Sequence, residues 1–424
     1  MRLAEIRGLI KSITDYDPNT TTYDDELTRI INNVYLELFA EKPWSFAQKE
    51  LIKTAKADDT ATNGNVTNST RDLTTGSGFF IDAMEGQIIE IQGEEYEIAS
   101  VVSSTVANLR QLFTGSTVSD SSATFKVKYR YLDLPVNCIS VLQVGRRDRT
   151  TTPSSEPGRF TPLTRMEDEW YNVNLDETGT PTDWVAYDDF SIQAPVKTLV
   201  VASSGTAGSG WSAGTYTFVY TFVYAGRYSA PSSAVTLATT EDYPTFAVTL
   251  PDMTTISGSD ASGFKKQAWV KFDPYKSYRK FGAEIVESDT SVSATAPGDN
   301  WELVDRLNNN GGNYRRVRLY PRPSSDTDIT IRYIYAPEFL LEDSDSPQMP
   351  GAHHQYIAYK ALVDVFSKHD NTTQAEVYRR KAELEIIKME QRYLSEISRR
   401  WVKAGYGVEP AFRSNRFGPL TTSG

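Results

Sequence analysis

The residues whose types could support acid–base, nucleophilic or metal chemistry are few: three histidines, one cysteine and some paired carboxylates. His353 and His354 are neighbours, so on a helix they point about 100° apart and cannot share a metal as an i, i+4 pair does. They read as a polar pair at a helix start, facing a subunit or solvent. His369 stands where a helix should end, a position at which a cation complements the dipole. Asp24-Asp25, Glu94-Glu95 and Asp188-Asp189 supply acids of the kind glycoside hydrolysis uses, but such pairs more often form solvated faces or caps. Cys138, after Pro135-Val136-Asn137, reads as a small buried apolar side chain. The chain contains no GxSxG elbow, Walker A loop, dinucleotide-binding GxGxxG or HExxH helix. The expectation is a protein with no catalytic site, no metal and no cofactor.

Charge and composition narrow the class further. A length of 424 residues suffices for two or three domains with separate cores. Aromatics make up 12%, with 24 tyrosines, which suits β-rich modules and interfaces. A net charge of -11 argues against phosphate binding over the whole chain. A single cysteine excludes an intramolecular disulfide and a cysteine-based zinc site. No segment approaches the ~20 apolar residues of a membrane span, and the N-terminus lacks the apolar core of a secretion signal. A soluble, non-exported chain is expected.

The elements that position these residues begin with helices at the two ends. Leu3, Ile6, Leu9, Ile10 and Ile13 give a short amphipathic helix over 2–13. A second starts at Tyr23-Asp24-Asp25 and stops before Pro43, with Leu27, Ile31, Val34, Leu38 and Phe39 on one side. Near the other end, His353 to Lys368 is apolar on most sides, including Tyr356, Tyr359 and Phe366. After the break at His369-Asp370-Asn371, Thr372 or Thr373 can cap a long helix whose stripe runs Ala375, Tyr378, Ala382, Ile386, Met389, Tyr393, Ile397 and Trp401. At 1.5 Å per residue this helix reaches roughly 45 Å, and its stripe needs a long partner or a neighbouring subunit. Helices from both ends are therefore expected to build one bundle.

Between the ends the pattern changes to strands. Residues 54–77, rich in Asp, Asn, Thr and Gly, read as a loop or weakly ordered arm. Strands are predicted at 79–81, 87–91, 94–98, 101–102, 107–109, 125–131 and 139–144, with Gln92-Gly93 as a hairpin turn. From 214 to 224, Tyr and Phe alternate with Thr and Val, and short strands with turn signals continue to Trp301–Val304. That reads as an immunoglobulin- or fibronectin-type sandwich. The fold class is α+β: N-terminal helices (1–50), a small antiparallel β-domain (51–193), the inserted sandwich (194–313), return strands (314–349), C-terminal helices (350–403) and an extended arm (404–424). The arm holds Tyr406, Phe412, Phe417 and Leu420 with Arg413 and Arg416, a composition suited to ordering on a partner.

In this order, the motifs resemble the head-to-tail adaptor of short-tailed bacteriophages, also called tail tubular protein A or gatekeeper. They are Glu5-Ile6-Arg7-Gly8-Leu9-Ile10, Ile31-Asn32-Asn33-Val34-Tyr35, Pro43-Trp44, Met84-Glu85-Gly86-Gln87, Tyr96-Glu97-Ile98 and Leu134-Pro135. Leu319-Tyr320-Pro321-Arg322-Pro323, Ile331-Arg332-Tyr333 and the run from Asp343 through Pro350 into Tyr359-Lys360-Ala361-Leu362 complete the series. The resemblance covers roughly the first 190 and last 110 residues; the sandwich departs from the minimal adaptor pattern.

The resemblance implies a structural virion protein of the neck and tail, assembled in the host cytoplasm. It implies a homo-oligomer, a twelve-fold ring, docked between the portal protein and the tail nozzle protein. Double-stranded DNA would pass through without specific binding, and no membrane is involved. The sandwich, being separable, is expected to project outward, to hold tail fibres or to decorate the neck. Portal contacts are expected from Trp401, Tyr406, Phe412, Arg413, Arg416, Phe417 and Leu420, and subunit contacts from Tyr356, Tyr359, Phe366, Tyr378, Met389 and Tyr393. The competing reading is a receptor-binding tail-fibre protein whose sandwich takes a glycan. The spacing of the long helix, mostly 4,4,3,4,4,4, departs from the 3.5-residue repeat a trimeric stalk would need.

Overall fold

The computed structural model describes residues 1–14, 23–135, 137–148, 159–166, 174, 176–188, 195, 197–204, 211–224, 227–240, 245–251, 264–272, 278–286, 289–294 and 315–394. The chain is mixed α+β, mostly β with few helices. It opens with α1 (Leu3–Thr14), α2 (Asp24–Glu41) and strand β1 (Gln48–Ala55). Strands β2 (Asp59–Val66), β3 (Asp72–Thr75), β4 (Ile88–Ile91), β5 (Glu94–Ser103), β6 (Val106–Leu109) and β7 (Val118–Lys128) follow. Then come β8 (Tyr131–Asp133), β9 (Cys138–Asp148), β10 (Arg159–Pro162), β11 (Thr164–Arg165), β12 (Thr178–Gly179) and β13 (Asp183–Asp188). The next stretch holds β14 (Val200–Ser204), β15 (Gly214–Tyr224), β16 (Arg227–Tyr228) and β17 (Val235–Thr239). It continues with β18 (Thr245–Thr249), β19 (Lys265–Phe272), β20 (Arg279–Ile285) and β21 (Ser291–Ala294). The described part closes with β22 (Arg315–Tyr320), β23 (Arg322–Pro323), β24 (Thr327–Tyr335), α3 (His354–Lys368) and α4 (Thr372–Tyr393).

Two compact units result. The first comprises Met1–Ile52, Asn137–Gly145 and Thr330–Gly424; the second comprises Lys53–Val136 and Arg146–Ile329.

In the first unit α3 is the central helix, with α1, α2 and α4 packed against it. The apolar spacing foretold the buried sides: Leu3, Ile6 and Ile10 of α1, and Leu27, Ile31, Tyr35, Leu38 and Phe39 of α2. Asp24, Asp25 and Glu26 occupy the first turn of α2, where they oppose the positive end of its dipole. The acidic spacer before α3 is bound to these N-terminal helices. Arg7 pairs with Asp343, and Leu3 donates its backbone N–H to Asp345 O at 2.7 Å. Buried Asn32 closes on the backbone of Leu340 in both directions, donating to O and accepting from N at 2.8 Å each. In the sheet of this unit β24 lies between β1 and β9, and Cys138 is buried as expected. Asn371, not Thr372 or Thr373, caps α4: its Oδ1 accepts from Gln374 N at 3.2 Å. Asn is among the strongest capping residues, and Asp370 turns the chain into it with φ of 56°.

In the second unit β2-β3-β6-β5-β4-β7 close into a six-stranded barrel. The loop expected over 54–77 is corrected, since much of it forms β2 and β3. Their composition concealed the period of two. Asp, Thr and Asn clothe the outside, while Ala61, Val66 and Leu73 join Ile89, Ile91, Phe125 and Val127 within. Gly64 lets β2 lie against Phe125, since a Cβ there would stand 2.5 Å from the ring. Gln92-Gly93 is the expected hairpin turn, with positive φ at both residues (55° and 83°) as a type I′ turn requires. Phe79–Ile81 is not a strand: Phe79 N and Phe80 N both donate to Ser104 O, at 2.7 and 2.9 Å.

Two more sheets of this unit share one core. One is β14-β18-β21; in the other β15 pairs with β16, β17 and β19, and β19 with β20. Tyr216, Phe218, Tyr220 and Phe222 alternate from β15 into that core beside Phe246 and Phe281. Val219 and Val223 lie on the opposite face with Trp269. The strand predicted at Trp301–Val304 lies outside the described residues. β22 pairs antiparallel with both β13 and β8, whereas β11 and β13 are parallel.

Candidate interaction surfaces

The six residues expected at subunit contacts lie on α3 and α4, and three of them pack on one another. Phe366 and Tyr378 stack with centroids 5.7 Å apart, and Tyr359 lies 6.1 Å from Tyr378. Tyr356, Phe366, Tyr378 and Met389 are buried; Tyr359 and Tyr393 are half-buried. Tyr393 sits edge-on to Phe46 at 5.5 Å and to His353 at 5.6 Å. One face of α4, through Ala375, Tyr378, Ala382 and Met389, is therefore covered within the unit.

The opposite face of α4 presents Val377, Leu384 and Ile387, exposed at 44%, 59% and 47%. At 100° per residue, this row lies about half a turn away from the packed stripe. Sequence reasoning passed over these three residues because the inner stripe is longer and more aromatic. Their seven- and three-residue steps were the signal that could have found them. Cations flank the row: Arg379, Arg380, Lys381, Lys388 and Arg392 are all exposed. Acids of the same helix meet three of them: Arg379 and Arg380 pair with Glu376 at 2.7 and 3.3 Å, and Lys388 pairs with Glu385 at 2.6 Å. Glu385 also meets His353 Nδ1 at 3.2 Å, and Glu390 meets Lys42 Nζ at 2.6 Å.

Where α2 meets α3 the character reverses. Burial, with a smaller contribution from the charges of Glu41, Glu37 and Asp364, pushes the Tyr356 pKa up. Partial burial and the neighbouring Glu37 likewise hold Asp364 above the usual carboxylate range, against the pull of Lys360. Beside these acids the exposed side of α2 carries Asn33 and Ala40, with Leu36 half-buried.

His353 and His354, expected to face a subunit or solvent, are both buried within the unit. His353 turns to Glu385, and His354 turns to Met349 O at 3.0 Å, the divergence their adjacency required. Among the described residues no group of three or more His, Cys, Asp or Glu could hold a metal. Of the acid pairs, Asp24 salt-bridges Lys11 at 2.7 Å and Glu95 salt-bridges Lys128 at 2.7 Å, which makes them structural charges. Asp189 lies outside the described residues, as do all seven residues expected to bind a portal, Trp401, Tyr406, Phe412, Arg413, Arg416, Phe417 and Leu420.

The second unit holds two charge clusters. Lys128 is buried yet reaches Glu90, Glu95 and Asp176 at 2.7, 2.7 and 3.1 Å. Burial opposes its charge, but the three carboxylates more than offset that and raise its pKa. Asp176 also meets Arg130 at 3.2 Å, and Arg322 bonds Asp58, so the segment around 176 is clamped to the barrel end. Glu85 pairs with Lys265 at 2.7 Å, Arg110 lies over the Phe264 ring at 5.4 Å, and Ala99 joins the core of the neighbouring sheets.

A family model described as SU10 adaptor protein matches residues 225–403. The matched stretch begins inside the segment that sequence reasoning set apart from the adaptor pattern and runs through β22–β24 into α3 and α4. No curated protein and no solved structure matches the chain. Over these residues the chain is similar to an SU10 adaptor protein.

Proposed function

We propose that this chain is a head-to-tail adaptor of a short-tailed phage, a ring subunit seated between portal and tail nozzle. The match of residues 225–403 to an adaptor family carries the reading. The helical unit supports it, because one helix pair is built to be covered on both sides. Its inner side is filled by Tyr356, Phe366, Tyr378 and Met389, which hold α4 in place from behind. Its outer side offers an apolar row, and side-to-side repetition of such a surface is what closing a ring requires. In this reading the helices of both chain ends form one bundle, and twelve copies surround the channel. The net charge of -11 keeps duplex DNA from adhering as it passes. Trp401 and, beyond Lys403, Tyr406, Phe412, Phe417 and Leu420 reach the portal, with Arg413 and Arg416 pairing with acids there. The sheet of β15 and the sheet β14-β18-β21 that shares its core form an immunoglobulin-like sandwich that faces outward, toward tail fibres or neck decoration.

Co-sedimentation of the purified chain with the purified portal of the same phage tests this. The reading expects a stable complex that is lost when 401–424 is removed. A chain that binds no portal but forms glycan-binding trimers would replace the adaptor with the receptor-binding alternative.

A further inference from the structure

The second unit holds a cavity that neither of its charge clusters accounts for. Its volume is about 140 Å³, and it lies between the end of β1, strand β8, and strands β22 and β23. Ala55, Ala83, Leu132, Leu319 and Pro323 form its apolar walls, with Tyr129 beside them. A cavity of about that size takes a benzene ring.

Most polar groups on the wall already have partners within the unit. Gln87 accepts from the backbone N–H groups of Arg130 and Tyr131 and donates to Tyr131 O at 2.9 Å. The Tyr129 hydroxyl donates to Asp59 at 2.8 Å, and Thr54 Oγ1 donates to Asp328 at 2.9 Å. Asp133, the only carboxylate among the described lining residues, accepts from Arg316 Nε at 3.0 Å. Two donors differ. Lys56 Nζ lies over the Tyr129 ring, 5.7 Å from its centroid, and forms no ion pair among the described residues. Arg130 gives its Nη2 to Glu95 and Asp176, yet its buried Nε donates to no group among the described residues. Both unused groups are cationic donors. A buried donor without an acceptor is costly, and a carboxylate supplies the acceptor and the opposite charge together.

The geometry points to a binding site for a small organic acid, a carboxylate on a compact aromatic or branched body. The body fills the space between Ala55, Leu132 and Leu319, and the carboxylate turns to Lys56 and Arg130. This site does not depend on the adaptor reading.

Benzoate, benzyl alcohol and benzylamine share a ring and differ in charge, so titrating each into the full chain at fixed ionic strength tests the site. The methyl resonances of Ala55 and Ala83, in chain labelled at its alanine methyls, report binding. Benzoate should shift both saturably with a Kd on the order of 1 mM, benzyl alcohol more weakly, and benzylamine not at all. Lys56→Met should weaken benzoate roughly threefold and leave benzyl alcohol unchanged. Ala83 is exposed, so Ala83→Trp adds bulk at the cavity wall without entering a core, and it should abolish the Ala55 shift with both. Equal binding of all three probes, or stronger binding of benzylamine, would overturn an acid site. So would benzoate binding that Lys56→Met leaves untouched, or a benzoate titration with no saturable shift.

Discussion

Glu85 Oε1 stands 2.7 Å from Lys265 Nζ and also accepts the Val101 N–H at 2.9 Å, so one carboxylate ties the barrel to the strand that enters the neighbouring sheets. Glu85 is buried, and Lys265 is mostly so. Removing one partner of such a pair leaves a buried charge unmatched, which costs about 3–5 kcal/mol, while replacing both is close to neutral. Lys265→Met should therefore destabilise the second unit strongly, and adding Glu85→Gln should recover most of the loss. Urea unfolding of the single and double variants measures both.

The same carboxyl sets a pH dependence. Burial raises the pKa of Glu85 above its ordinary 4.5, and the bonds from Lys265 and Val101 only partly oppose that. The folded state thus keeps this proton to higher pH than the unfolded chain does. Its stabilising contribution is full below 4.5 and declines as pH rises through the folded value. The stability difference between the parent and Glu85→Gln should shift against the parent as pH climbs from 4.5, and a flat difference would contradict the assignment.

Gly64 is expected to be intolerant. Gly64→Ala drives a methyl to 2.5 Å from the Phe125 ring at the centre of the barrel, and overpacking of this kind costs typically about 1–3 kcal/mol. Combining it with Phe125→Leu should recover part of that. A thermal melt of each variant provides the check.

The two faces of α4 should respond differently to truncation. Met389→Ala opens a cavity behind a fully buried side chain and should cost about 2–5 kcal/mol. Leu384→Ser, on the exposed face, should change monomer stability by no more than about 0.5 kcal/mol. Comparable losses from both would mean that the exposed row is structural after all.

How much of this was legible in the sequence depended on which period each element displays. Helices α1 to α4 were plain, because Leu27, Ile31, Leu38 and the Ala375–Met389 stripe repeat at three and four residues over several turns. β15 was plain too, since Tyr216, Phe218, Tyr220 and Phe222 alternate without interruption. β2 and β3 were hidden, because a small barrel accepts Ala61 and Gly64 inside and Thr or Asn outside, which leaves almost no hydropathy signal. Barrel closure is a relation among six strands, and no local motif encodes it. The candidate surface was legible only in half. Aromatic spacing found the inner side of α4, but Val377, Leu384 and Ile387 were masked by the cations between them. The buried places of His353 and His354 were missed because their partners, Glu385 and Met349, are fixed by tertiary packing.

The most direct test of the central claim is an image of the intact virion neck with this chain labelled. The account predicts label in a closed ring directly beneath the portal, with the helices of residues 354–393 on its portal side. Label confined to the tail fibres, or absent from the neck, would contradict it.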